Sequence, residues 1–341
     1  MNHPNGNGNF RLTTSWNSGS TFLFPLGDFS DFNQNLGTTE LYSTNPAAGT
    51  TYWLPNGIVS YGNLILSPLG GSNIIFPNNN LSIFGDLITR GQNADSWFCP
   101  TWDSNYPTAP TARVAKTITI FGNMDIQGGG LIWYGNGAIT QNIIVYGDVK
   151  VAPLACIDVW SGASSQSISI GGDLINNTTN TSPVSTRSQC DFTLLPVTFF
   201  GNTSSSVYNT TSTPLTIFDK VIVNKGNSQA TTLTINIGGT LTTPNDNWLT
   251  LQNGTVRYIR TGNFTISRGT SFTIPSTAGL YLNTPSNVFI ANSNVNANDL
   301  ILSGKLTLIN GNVFIGQTTY PNNNNDIEYT GSGVAALDIQ G

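Results

Sequence analysis

The sequence predicts an all-β fold, a right-handed parallel β-helix whose coils of about 23–25 residues stack into a solenoid with two insertion loops. Three observations predict it. The stretch Ile118-Thr119-Ile120-Phe121-Gly122-Asn123-Met124 returns 25 residues later as Ile143-Ile144-Val145-Tyr146-Gly147-Asp148-Val149, and 25 further on as Ile168-Ser169-Ile170-Gly171-Gly172-Asp173-Leu174. Apolar residues alternate inside each unit, as at Ile118, Ile120, Met124 and Ile126, which is the period of a strand with one buried face. No stretch carries apolar residues at helical spacing over a helical length, and β-branched residues dominate the apolar runs. A fixed period of this size marks units that bury their apolar faces only against their neighbours. Propellers and sandwiches use antiparallel hairpins and do not require positional equivalence at 25 residues.

Taken in order, residues 1–20 are polar and rich in Gly and Asn, a leader or partial cap, and 21–341 form one solenoid. Thr21-Phe22-Leu23-Phe24 reads as a strand, followed by a corner at Leu26-Gly27-Asp28-Phe29. Matching corners fall at Tyr61-Gly62-Asn63-Leu64 and Phe84-Gly85-Asp86-Leu87. Glycine tolerates backbone angles that other residues avoid, and Asn or Asp bonds to nearby backbone, so the pair makes a turn between strands. The step from Gly85 to Gly122 is 37 residues, so this coil carries an insertion, placed at 91–115 and read as an excursion loop from its Pro and Asp content. A second insertion is placed at 176–196. Corners resume at Phe200-Gly201-Asn202, Gly238-Gly239-Thr240 and Thr261-Gly262-Asn263-Phe264. A longer cassette starting at Tyr61 recurs from Phe218 and again from Asn298. The pattern Leu337-Asp338-Ile339-Gln340-Gly341 stops within a strand, as though inside a longer polypeptide.

Charged residues are only 9% of the chain and its net charge is −5, with no basic patch, so nucleic acid and an anionic membrane surface are unlike partners. No apolar run has the length of a membrane span. The start, Met1-Asn2-His3-Pro4-Asn5-Gly6, lacks the basic and apolar regions of a signal peptide. No cofactor is implied.

The recurrent corner residues Asp86, Asn123, Asp148 and Asp173 admit two readings. They bind a cation as a stacked row, or their side chains satisfy corner backbone groups; the second is favoured, because calcium-binding turns of this kind repeat at a nonapeptide period absent here. Catalysis is not expected. Of 17 acidic residues only Glu40 and Glu328 are Glu, no Asp-Asp pair occurs, and the single histidine, His3, lies in the leader. Glycoside chemistry needs clustered carboxylates, so a polysaccharide-active β-helix enzyme, lyase or hydrolase, is the alternative. In the 91–115 insertion, Trp97, Trp102 and Tyr106 offer flat faces to sugar rings, and Asp95 and Asp103 offer acceptors to hydroxyls. The competing and favoured reading packs these aromatics down onto the outer face of the solenoid.

Three cysteines are an odd number. Cys156 takes the place of Leu131 one coil earlier, as a small buried hydrophobe. Cys99 and Cys190 lie in the two insertions, expected on one edge three coils apart, roughly 14 Å at 4.8 Å per coil. Long loops would close that gap, which brings a Cys99–Cys190 disulfide within reach in an oxidising compartment.

The corners Phe84-Gly85-Asp86-Leu87 and Phe200-Gly201-Asn202, the run Leu233-Thr234-Ile235 with Gly238-Gly239-Thr240-Leu241, and Asp338-Ile339-Gln340-Gly341 resemble the repeats of very large secreted proteins of Bacteroidota. These include cell-surface adhesins of gliding flavobacteria, exported by the type IX secretion system. The resemblance implies an extracellular, outer-surface location and a role in adhesion or gliding motility; the partner expected, from the loop aromatics, is a cell surface or an extracellular glycan. It supplies no catalytic residues, and the C-terminal sorting domain of that system is not seen in this sequence. A phage-type fibre, which would trimerise, is a third reading.

Overall fold

The computed structural model describes residues 8–13, 20–21, 24–44, 50–92, 96–101, 114–134, 139–161, 165–179, 189–211, 213–268, 270–291, 299–316, 326–330 and 335–340. Strand takes 59% of the chain and helix 2%, and every strand pairing is parallel, so backbone hydrogen bonding runs almost wholly from one coil to the next. About ten turns stack into a β-solenoid.

One coil shows the plan. Lys116–Ile120 forms the first side, and Phe121-Gly122-Asn123 turns the chain. The long strand Met124–Tyr134 then supplies the second side and, after bending at Gln127-Gly128-Gly129, the third. Alternation sends Ile118, Ile120, Met124, Ile126, Leu131 and Trp133 inward, where all six are buried. The predicted columns stack: Ile120 faces Val145, and Val145 faces Ile170. Each inward side chain therefore packs above and below on its own equivalents, and one continuous core runs from Leu41 to Leu306.

Several expectations are corrected. The solenoid begins inside the polar leader, since Asn9–Thr13 pairs with Thr38–Tyr42 along its whole length. The Gly27 turn is followed by a short helix, Ser30–Gln34, and Gly37 instead is the first glycine of the corner column. Phe10, Phe24, Phe29 and Tyr61 pack edge-on or tilted, with ring centroids 5.0–5.9 Å apart, over this end.

Trp97–Thr101, assigned to an excursion loop, is a third-side strand between Asn73–Ile75 and the Gly130–Trp133 segment. Pro100 is tolerated because it falls where the register slips, between Phe98 and Thr101. Likewise Gln189–Gly201 is strand, so the chain from Gln189 to Pro196 belongs to the stack and not to the insertion placed at 176–196. The recurring cassette is out of phase. Tyr61-Gly62 turns from first side to second, whereas Phe218-Asp219 turns from third to first, and Gly238-Gly239 from second to third. All three sides share one alternation, so similar strings occupy different sides.

Ile170→Ala, which opens a hole in the stacked column, is expected to cost about 2–5 kcal/mol in denaturant unfolding. Ser169→Ala, one residue away and facing outward, should stay within about 0.5 kcal/mol.

Candidate functional site

Of the predicted ligand-binding residues, Trp97 alone is among the described residues; Asp95, Trp102, Asp103 and Tyr106 lie outside them. Trp97 is half-buried and packs on a separate apolar cluster, Trp53, Ile75, Cys99, Ile132 and Cys156, on the outer face of the third side. This is the favoured packing arrangement for Trp97, with the indole laid on its own sheet.

The cysteine expectations change with the register. Met124 to Ile126 pairs with Val149 to Val151 at a step of 25, but Gly129 pairs with Ala155 at 26, one residue being added at the corner. Cys156 therefore lies over Gly130 and faces outward, while Ile157 lies over Leu131 in the core. Cys99 also belongs to the outer cluster, whereas Cys190 points into the core in line with Ile157. The two lie on opposite faces of one sheet, and all three cysteines are buried and outside any disulfide, so the Cys99–Cys190 disulfide is not formed. Burial pushes the Cys190 thiol well up from its ordinary value, and the neighbouring Cys156 adds to the shift.

The corner between first and second sides holds the most regular chemistry. Backbone N–H groups of Gly85, Gly122, Gly147 and Gly172 donate to the carbonyls of Gly62, Gly85, Gly122 and Gly147 at 2.8–2.9 Å. The next residue in each coil uses its side chain. Asn63 Oδ1 accepts the Asp86 N–H at 2.9 Å, Asp86 Oδ1 accepts that of Asn123 at 2.6 Å, and Asn123 Oδ1 accepts that of Asp148 at 2.9 Å. Asp148 then accepts from Asp173 at 2.9 Å, and Asp173 from Ser206 at 2.7 Å. These acids and amides thus satisfy backbone donors in the next coil. Glycine is required beside them, because a Cβ on Gly122 would strike both the Asp86 carboxylate and the Gly85 carbonyl.

Two features of this corner escaped the sequence reading. Phe84, Phe121 and Tyr146, each preceding a corner glycine, stack outside it with centroids 5.9 and 5.3 Å apart, and Phe200 meets Tyr146 edge-on across the bare Gly171. Phe121 and Tyr146 are about half exposed, yet the face that each turns to the other is covered by the stack. The second feature is Lys225. Where the ladder steps 33 residues from Asp173 to Ser206, the Lys225 ammonium donates to the carbonyls of Gly171 at 2.7 Å and Phe200 at 2.6 Å. Burial lowers its pKa to about 8, with Asp173 opposing the shift. The signal was legible: alternation from Val221 and Val223 puts position 225 inside. Lys116, inward of Ile118 by the same rule, donates to the Pro77 carbonyl at 2.6 Å.

No protein-family model matches the sequence, and no curated protein or solved structure is significantly similar to the chain.

Asn123→Ala removes the acceptor for the Asp148 N–H and should cost about 1–3 kcal/mol. Asp148→Asn keeps an acceptor and relieves the repulsion with Asp173 one coil on, so it should be neutral or stabilising in the same unfolding assay. A thiol reagent should find no reactive cysteine in the native protein and three after denaturation. Between pH 8 and 10 the unfolded chain retains a proton that folded Lys225 has released, so stability rises with pH through this site. Thermal melts of Lys225→Met should show a flatter rise over that window than the wild type.

Proposed function

We propose that this chain is the stiff part of a bacterial cell-surface adhesin or stalk, extracellular, serving attachment or gliding and carrying no catalytic chemistry. One observation carries the reading: the carboxylates and amides best placed to do chemistry are engaged in holding coil to coil. Besides the corner column, Glu40 pairs with Arg11 at 2.6 Å, Asp338 with Lys305 at 3.0 Å, and Asp219 accepts from the Leu194 backbone at 3.1 Å. Among the described residues no three of His, Cys, Asp and Glu gather as a metal-binding group, and no helix is long and apolar enough to cross a membrane. A rod with a regular apolar interior, whose outward positions carry no load in the core, suits mechanical reach and surface contact. The resemblance to Bacteroidota surface repeats supports the location and the gliding or attachment role.

The alternative, a polysaccharide-active enzyme, has one observation in its favour. Asp148, Lys150, Asp173 and Tyr208 share the outer surface beside the corner; Lys150 stands 3.5 Å from Asp148, and burial and both acids raise the Tyr208 phenol.

Small-angle scattering from the isolated chain should give a monomeric rod about 50 Å long, from about ten turns at roughly 4.8 Å each. Beads coated with it should attach to surfaces or cells that albumin-coated beads do not hold. Failure of attachment would remove the adhesive role, and release of sugar products from polysaccharides, abolished by Asp173→Asn, would replace it with the enzyme.

A further inference from the structure

We infer that the outer face of the second side, near its last coils, holds a binding notch for a carboxylate-bearing saccharide. The strands Thr232–Asn236, Leu249–Tyr258, Ala278–Ile290 and Lys305–Ile315 lie side by side here. Their outward rows read Thr232, Thr255, Gly279, Lys305 and, two residues on, Thr234, Arg257, Tyr281, Thr307. Gly279 interrupts the first row. A Cβ at that position would lie 2.6 Å from Thr255 Oγ1, so glycine lets the Thr255 side chain lean over the row, and a notch of about 330 Å³, at the lower end of small-molecule sites, lies among these residues.

The lining is chemically one-sided. Arg257 lies over the Tyr281 ring, 4.9 Å from its centroid, and has no acidic partner among the described residues. Lys305 also lines the notch, already paired with Asp338 at 3.0 Å. A guanidinium held by an aromatic ring and left without a counter-ion, on a chain of net charge −5, is set for one carboxylate. Around it stand hydroxyls suited to a polyol: Thr232, Thr307, and Thr255, whose hydroxyl donates to the Gln229 carbonyl at 2.7 Å. A peptide is disfavoured. Extended peptides bind by adding to a free strand edge, and the notch strands that flank Gly279 are hydrogen-bonded on both sides.

The inference does not rest on the adhesive role, and the two fail separately: a rod that attaches to nothing still binds or does not bind a free oligosaccharide. The test is calorimetric titration of the whole chain with tetragalacturonate, neutral galactotetraose and tetraglutamate. Saturable, salt-sensitive binding of tetragalacturonate is expected, weakened about tenfold or more by Arg257→Gln and also weakened by Gly279→Ala, whose Cβ would push the Thr255 side chain out of its place in the lining. Arg257→Gln changes an outward side chain, and an unaltered melting curve verifies its fold. Absence of saturable binding, equal binding by Arg257→Gln, or equal affinity for galactotetraose overturns the proposal. Equal affinity for tetraglutamate overturns it in favour of a peptide-anion site.

Discussion

A coiled chain has a difficulty that a flat sheet does not: at each corner the backbone leaves the ladder, and its N–H groups lose their strand partner. An unpaired buried donor costs about as much as a lost hydrogen bond, and a solenoid repeats that cost in every coil. This structure meets it with one device. A side-chain oxygen at the corner of one coil accepts the N–H of the equivalent residue in the next, from Asn63 through Asp86, Asn123, Asp148 and Asp173 to Ser206. The other corners use variants of it: Asn263 accepts from Asn287, Asn56 from Asn78, and Asp299 from Asp326.

The device fixes more than the corner. Because the acceptor lies one coil below its donor, corner spacing and strand register are set together, and the inward columns cannot slip without breaking both. It also brings Asp148 and Asp173 into neighbouring coils, a like-charge contact that Lys150 offsets beside Asp148. At the step from Asp173 to Ser206 Lys225 adds a second tie, bridging the carbonyls of Gly171 and Phe200 from inside. A buried ammonium is costly, so its place here shows how much an unsatisfied corner would cost.

How much of this was legible follows from which interactions are local in sequence. The 25-residue register of Ile120, Val145 and Ile170 and the corner role of Asp86, Asn123, Asp148 and Asp173 could be read directly, because each coil repeats the same local problem. The side of the triangle a strand occupies could not, since every side alternates alike and only inter-coil pairing separates Phe218-Asp219 from Tyr61-Gly62. The cysteines went astray for a narrower reason. The single residue added around Ala152-Pro153-Leu154 shifts the third side by one, and a shift of one reverses every side chain between core and surface. Trp97–Thr101 was masked by Pro100, which reads as a strand breaker until the bulge beneath it is seen.

Arg257 was illegible for the opposite reason. Nothing local marks it: it is one outward residue in an alternating strand, and its meaning comes from Tyr281 one coil on and from the missing side chain of Gly279. Outward positions in a solenoid carry no load in the core, so the chain is free to assemble a contact surface from residues about 25 apart without altering the stack. Regularity inside and irregularity outside are thus two sides of one arrangement. The column of corner bonds holds each coil in place, and the outer rows are left to differ from coil to coil, as they do in the recess around Gly279.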